Sequence, residues 1–335
     1  MPAHNSILLI LVLHLWVKNL RSMKIQNFLF AILFLISACQ KEKKSTEAAV
    51  KMQDFVIELS AYAKSIDSDF LIIPQNGEAL CYQNANPESD FRTDYLAAID
   101  GIGVEEIFYN GDLSIDTYRL NMLQEIVGTK KIMVSEYLND NNLIADAQQR
   151  ANNEGFICFP RSKDNYNYEL IPSNPYQENA DNITTLSQAK NYLYLISNSQ
   201  FTTKQNMLDA ISATNYDLII IDLFYDEESF TASEINQLKT KANGGQRLVI
   251  AYMSVGSAEN YRYYWQKNWR LHKPDWLKKK YDGYKDEIWV EYWNSEWKNI
   301  IFGNDESYLK KILNASFDGV YLDNVEAYYF LYYNR

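Results

Sequence analysis

Carboxylates stand where strand-like runs end in this chain. Asp222 closes DLIIID (217–222), and Glu259 follows RLVIAYMSVGSA (247–258). Asp323 closes DGVYLD (318–323) with Asn324 and Glu326 just beyond it, Glu105 and Glu106 follow IDGIGV (99–104), and Glu136 lies near the end of KIMVSEY (131–137). A single acid in such a place is often a helix cap or a solvated charge. Acids after five of eight runs suggest an acidic bowl, and two carboxyls across a bowl can divide acid and base work between them. Other chemistries lack their residues. Of three histidines only His272 lies beyond residue 39, which argues against a Ser-His-Asp triad, a Cys-His pair or a histidine-ligated metal. No metal and no cofactor are expected: the ligand residues for a metal are scarce, and no Gly-x-Gly-x-x-Gly loop follows any strand to bind a dinucleotide.

Charge and aromatic content narrow the ligand. The formal net charge is −11, and the balance disfavours nucleic acid and anionic lipid while suiting a neutral or cationic partner. Six of the seven tryptophans fall between residues 265 and 297, preceded by Tyr261, Tyr263 and Tyr264 and interleaved with Tyr281, Tyr284 and Tyr292. Flat apolar faces of this kind stack on sugar rings, and a cationic amino sugar adds cation–π attraction. Trp276 and Trp297 are expected to pack the segment onto its scaffold instead, whereas Tyr264 and Trp265 are expected to meet substrate.

The elements that must position these groups alternate. Eight β-rich runs, FLIIP (70–74), IDGIGV, KIMVSEY, GFICFP (155–160), YLYLIS (192–197), DLIIID, RLVIAYM (247–253) and DGVYLD, are separated by helical patterns such as Met52–Ser65. This predicts a parallel sheet with helices outside it, in an α/β (β/α)8 TIM-type barrel whose active site lies at the carboxyl ends of the strands. A doubly wound open sheet is the alternative. Residues 257–298 read as an aromatic-rich insertion with IWVEYW (288–293) as a short extra strand. Cys81 and Cys158 are expected as separate buried thiols rather than a bridge.

The first 39 residues set the compartment. Met23-Lys-Ile-Gln-Asn is a basic start, Phe28–Ile36 an apolar core, and Ser37-Ala38-Cys39 a small-residue site ending in cysteine, the pattern of a lipoprotein signal with translation starting at Met23. A non-cleaved anchor is the alternative. Cys39 would be acylated, residues 40–50 would be a polar tether, and residues 51–335 a single domain. The membrane would be met only through the lipid, on an exported, periplasmic or cell-surface protein.

Six segments carry a resemblance to a known family: YDLIIIDLFYDEE (216–228), VIAYMSVGSAENYRYYW (249–265), FDGVYLDNVEAY (317–328), DFVIELSAYAK (54–64), DFLIIPQNGEAL (69–80) and IDGIGVEEIFYNGD (99–112). Together they are similar to the endo-α-1,4-polygalactosaminidase family of glycoside hydrolases and its bacterial relatives. The resemblance implies a barrel, a galactosamine-containing polysaccharide as substrate, and a catalytic Asp–Glu pair matching Asp323 and Glu105. Asp323 would be nucleophile or base and Glu105 the general acid. Asp222, Glu259, Asn324, Glu326, Asn76 and Glu136 would hold the sugar. In the family the DGVYLDN segment precedes IIPQNGE, whereas here it comes last, which implies a circularly permuted barrel, a form that neighbouring chain ends permit. A gene fragment or a domain swap is the alternative, and a monomer is expected. A non-catalytic carbohydrate-binding lipoprotein on the same barrel is the competing function.

Overall fold

The computed structural model describes residues 25–334, with side chains from Cys39 onward. Residues 1–24, which hold the expected start of the leader, lie outside that range. Helix α1 (Ile25–Ile66) runs unbroken through Cys39 and through the stretch expected as a tether. Ala48, Ala49, Met52, Phe55, Val56, Leu59 and Ala63 form its buried stripe, with the i, i+3, i+4 spacing of one helix face. Ser45 is buried too and donates to the Tyr328 carbonyl at 3.1 Å. Burial therefore begins inside residues 40–50. Among the described residues no helix is long and apolar enough to cross a membrane.

All eight expected runs contain strands: β1 (Leu71–Pro74), β2 (Gly101–Leu113), β3 (Lys131–Leu138), β4 (Ile157–Ser162), β5 (Leu193–Leu195), β6 (Leu218–Asp222), β7 (Leu248–Ser254) and β8 (Gly319–Asp323). One parallel sheet has the order β5-β6-β7-β8-β1 and a second the order β2-β3-β4. A parallel bridge between Gln75 and Gly103 joins them where β1 ends. The result is a mixed α/β fold with one arc of eight parallel strands, compatible with a barrel. At the ends of the arc no backbone ladder joins β4 to β5 among the described residues. The rings of Phe159 and Tyr192 meet there 5.7 Å apart, and the backbone N–H groups of Ile196 and Ser197 donate to the Tyr168 carbonyl beyond β4.

Tyrosines fill the interior. Tyr168, Tyr192, Tyr194, Tyr252 and Tyr321 are all buried. Tyr321 reaches past β1 to β2, where a β-carbon on Gly103 would lie 1.8 Å from its hydroxyl, so only glycine fits there. The insertion folds as an antiparallel ribbon over the strand ends, with 287–290 between 257–259 and 277–280. The extra strand expected in IWVEYW is thus the middle one. Trp276 and Trp297 are fully buried beneath it, as expected. Cys81 and Cys158 are free and buried.

Candidate active site

Asp323 ends β8 and keeps partial access to the bowl. The Tyr252 hydroxyl, from β7 next door, donates to its Oδ2 at 2.5 Å, and Asn324 N donates to Oδ1 at 2.8 Å. Burial pushes its carboxyl up to about 6; Tyr252 pulls against that, and the charge of Glu105 pushes further in the same upward direction. That coupling places the two carboxyls in electrostatic reach of one another, and the buried Tyr321 hydroxyl feels both.

Glu105 lies two strands away, on β2. Its side chain receives the Tyr168 hydroxyl and, at 3.4 Å, Asn76 Nδ2, and Arg161 Nη2 lies 3.7 Å from Oε1. Its backbone is held as well, with its N–H donating to Asn76 Oδ1 at 3.0 Å and its carbonyl accepting from Arg119 at 2.8 Å. Asn76 adopts a left-handed φ of 55° and accepts from Arg119 with the same Oδ1. Its place is to fix Glu105 from the end of β1.

Several residues expected to hold sugar are engaged within the protein. Arg262 clamps Asp222 through both terminal nitrogens at 2.8 Å and binds Glu259 through Nε at 2.6 Å. Glu259 is 2% exposed and also receives the Tyr261 hydroxyl. These two acids form a wall and share one guanidinium, which pairs both but offsets only part of their charge; a buried carboxylate must be paired. Asn324 is buried and braced, donating to Ser254 and Ser257 at 2.9 and 3.1 Å and accepting from Tyr281. Glu136 is fully buried below the bowl, its oxygens occupied by the backbone N–H groups of Phe108 and Tyr109. Tyr264 packs edge-on against Trp297 at 5.6 Å, and its hydroxyl accepts from Glu259 N. Trp265 is half-buried and edge-on to Trp269. Glu326 lies past the strand end, in electrostatic reach of Arg119 and Tyr328.

One carboxyl of the bowl went unnoticed in the sequence. Glu287, in the middle strand of the ribbon, pairs in register with Glu259 and accepts from Ser257 at 2.6 Å. Burial, then the charges of Glu259 and Asp323, push it up to about 8. Its signal was the alternation in EIWV, which puts Glu287 on the same face as the buried Trp289. Tyr252, Tyr168, Arg161 and Arg262 also escaped notice. Only Arg262 had a local cue, its i+3 spacing from Glu259.

Two carboxyls, one at the end of β8 and one on β2 with β1 between them, each gripped by a tyrosine hydroxyl, suit cleavage of a bond that needs an acid and a nucleophile or base. Residues 172–334 match the model of glycoside-hydrolase family GH114. That segment contains β5 to β8 and Asp323. An uncharacterised protein of Methanocaldococcus jannaschii is 38% identical over 153 residues, covering 45% of this chain and 41% of that one. Uncharacterised proteins of Thermotoga maritima (30% over 118 residues, 35% of each chain) and Deinococcus radiodurans (34% over 125 residues, 37% and 38%) are also similar. The chain spans about two fifths of the length of these curated relatives.

Proposed function

We propose that the protein is a glycoside hydrolase that cleaves an α-linked galactosamine-containing polysaccharide, with Asp323 as nucleophile or base and Glu105 as general acid. The observation that carries this reading is the pair of carboxyls each held by a tyrosine hydroxyl, Asp323 by Tyr252 at the end of β8 and Glu105 by Tyr168 on β2, in a chain whose second half matches a glycoside-hydrolase family. The bond to the leaving oxygen breaks through an oxocarbenium-like transition state as Glu105 delivers a proton to it. Asp323, ionised above about pH 6, stabilises or captures the sugar cation. Tyr252 and Asn324 N hold the Asp323 oxygens in place for that step. A surplus of acids on the bowl suits a cationic amino sugar.

One contact favours a reversed division of labour, the approach of Arg161 to Glu105. Aryl glycosides separate the two. A reactive aryl leaving group needs little protonation, so Glu105→Gln should recover most of its rate on such a substrate while Asp323→Asn should not. The opposite pattern would exchange the roles.

Permutation is part of the same reading. The family match begins at residue 172, beyond β4 and before β5, at the seam where no ladder forms. At the other end Ser45 and Ala48 of α1 touch Tyr328 and Tyr292, so a short link could join the C-terminal end to α1. Lipid anchoring through Cys39, which is exposed on α1, completes the proposal. A Cys39→Ser variant should leave the membrane fraction, and continued membrane retention would count against the anchor.

A further inference from the structure

The ladder between β2 and β3 breaks beside Glu105. Glu105 pairs with Ser135 and Asn110 with Tyr137, so residues 106–109 stand opposite Glu136 alone. Such a bulge leaves backbone groups without ladder partners. Here the N–H groups turn inward onto one side chain: Phe108 N lies 3.0 and 3.2 Å from the two Glu136 oxygens, and Tyr109 N lies 2.8 Å from Oε2. The carbonyls of the bulge are held from outside, Ile107 by Asp116 N and Phe108 by Ser114 N, both at 2.8 to 2.9 Å. Glu106 sits at a left-handed φ of 58°, unfavourable for a residue with a β-carbon. Something must hold the segment there, and Glu136 is the buried group that engages it.

We infer that Glu136 is a positioning residue, whose carboxylate anchors the 106–109 bulge and thereby fixes where Glu105 stands. The chain of contact is short. Glu136 binds the bulge, the bulge begins at the residue after Glu105, and Glu106 is tied at 2.9 Å to the Arg161 that also approaches Glu105. Without the anchor the two N–H groups are buried with no acceptor, and relieving them moves the backbone next to Glu105. Glu136 never meets substrate on this account. Burial pushes its carboxyl up to about 7 while the bulge N–H groups pull it down, with Glu106 as the nearby like charge.

The inference rests on Glu105 as a working carboxyl, and the test keeps the two claims apart. Glu136→Gln replaces one acceptor oxygen with an NH2 group, which can only donate. The carboxyl carbon of Glu105 is followed by 13C NMR titration, assigned by its loss in Glu105→Gln, alongside kcat and KM on the galactosamine polymer. Glu136→Gln should move the Glu105 titration by about half a pH unit or more and lower kcat about tenfold with KM little changed. Phe55→Leu, a core change on the outer helix α1, should lower the melting temperature and leave both readouts alone. Glu136→Asp keeps the carboxylate and should fall between wild type and Glu136→Gln; it is read by the same criteria if the glutamine variant does not fold. An unmoved Glu105 titration with wild-type kcat, or equal changes in Phe55→Leu, would overturn the inference. A wild type without turnover would sink the proposed hydrolase instead, and the titration would still decide the role of Glu136.

Discussion

The two corners of the bowl that hold Asp323 and Glu105 are built differently. Asp323 is placed by an unbroken ladder: β8 pairs with β7 up to Asp323 and Ser254, and Tyr252 donates from the adjoining strand. Glu105 is placed where a ladder fails, beside a bulge, by contacts that reach it from β1, from β4 and from Tyr168 in the irregular segment that follows β4. The Asp323 corner is fixed by secondary structure and the Glu105 corner by convergence of distant side chains. A residue of the first kind tolerates loss of one neighbour better than a residue of the second.

The largest effect should come from the wall that flanks Asp323. Arg262→Met removes the cation paired with both Asp222 and Glu259, and leaving buried carboxylates unpaired costs about 3–5 kcal/mol. Urea denaturation should show that loss; a loss below about 1 kcal/mol would mean the wall is not a buried ion network. Next, Tyr168→Phe and Tyr252→Phe each delete one hydroxyl from one of the two proposed catalytic carboxyls. Each bond is worth about 1.5–3 kcal/mol when its acceptor is charged, so kcat should drop by about tenfold or more. The drop should be steeper for Tyr168→Phe, and equal losses would erase the contrast between the corners.

The smallest effect is on stability against pH. The Asp323 carboxyl is raised above its ordinary value to about 6, so the folded state binds its proton more readily than the unfolded state. Its contribution is fully favourable below about pH 4 and is lost as pH rises through 6. Asp323→Asn should therefore match wild type in acid and exceed it at pH 7–8 by on the order of 1 kcal/mol, reduced by the partial exposure of the group. Melting temperatures across pH 4–8 check this, and a variant less stable at pH 8 would reverse the sign. Glu287→Gln should behave likewise with its window extended to about 8.

The same contrast explains what could be read from residues alone. The strands were legible because apolar runs ending in Asp or Glu mark both a buried strand and its carboxyl end, as at Asp222 and Asp323. Segment similarity pointed to Glu105, but nothing local announced Tyr168 or Arg161, which act across 63 and 56 positions of separation, Arg161 from β4 and Tyr168 from the irregular stretch after it. Glu136 looked like a bowl residue because a strand-terminal acid carries no sign of a bulge on the neighbouring strand. Tyr264 looked like a stacking platform because composition cannot tell a ring that meets sugar from one that meets Trp297. Glu287 was hidden among aromatics that drew attention to stacking.

The central claim is that Asp323 and Glu105 form one hydrolytic pair, and new reducing ends are its most direct readout. Protein beginning at residue 40 is incubated with α-1,4-linked galactosamine polymer and with its N-acetylated form, beside Asp323→Asn and Glu105→Gln. The expected result is release of reducing ends by the wild type, with each variant at least about a hundredfold slower while folded and still binding polymer. Hydrolysis that persists at the wild-type rate in either variant, or a wild type that binds polymer without cutting it, would contradict the pair.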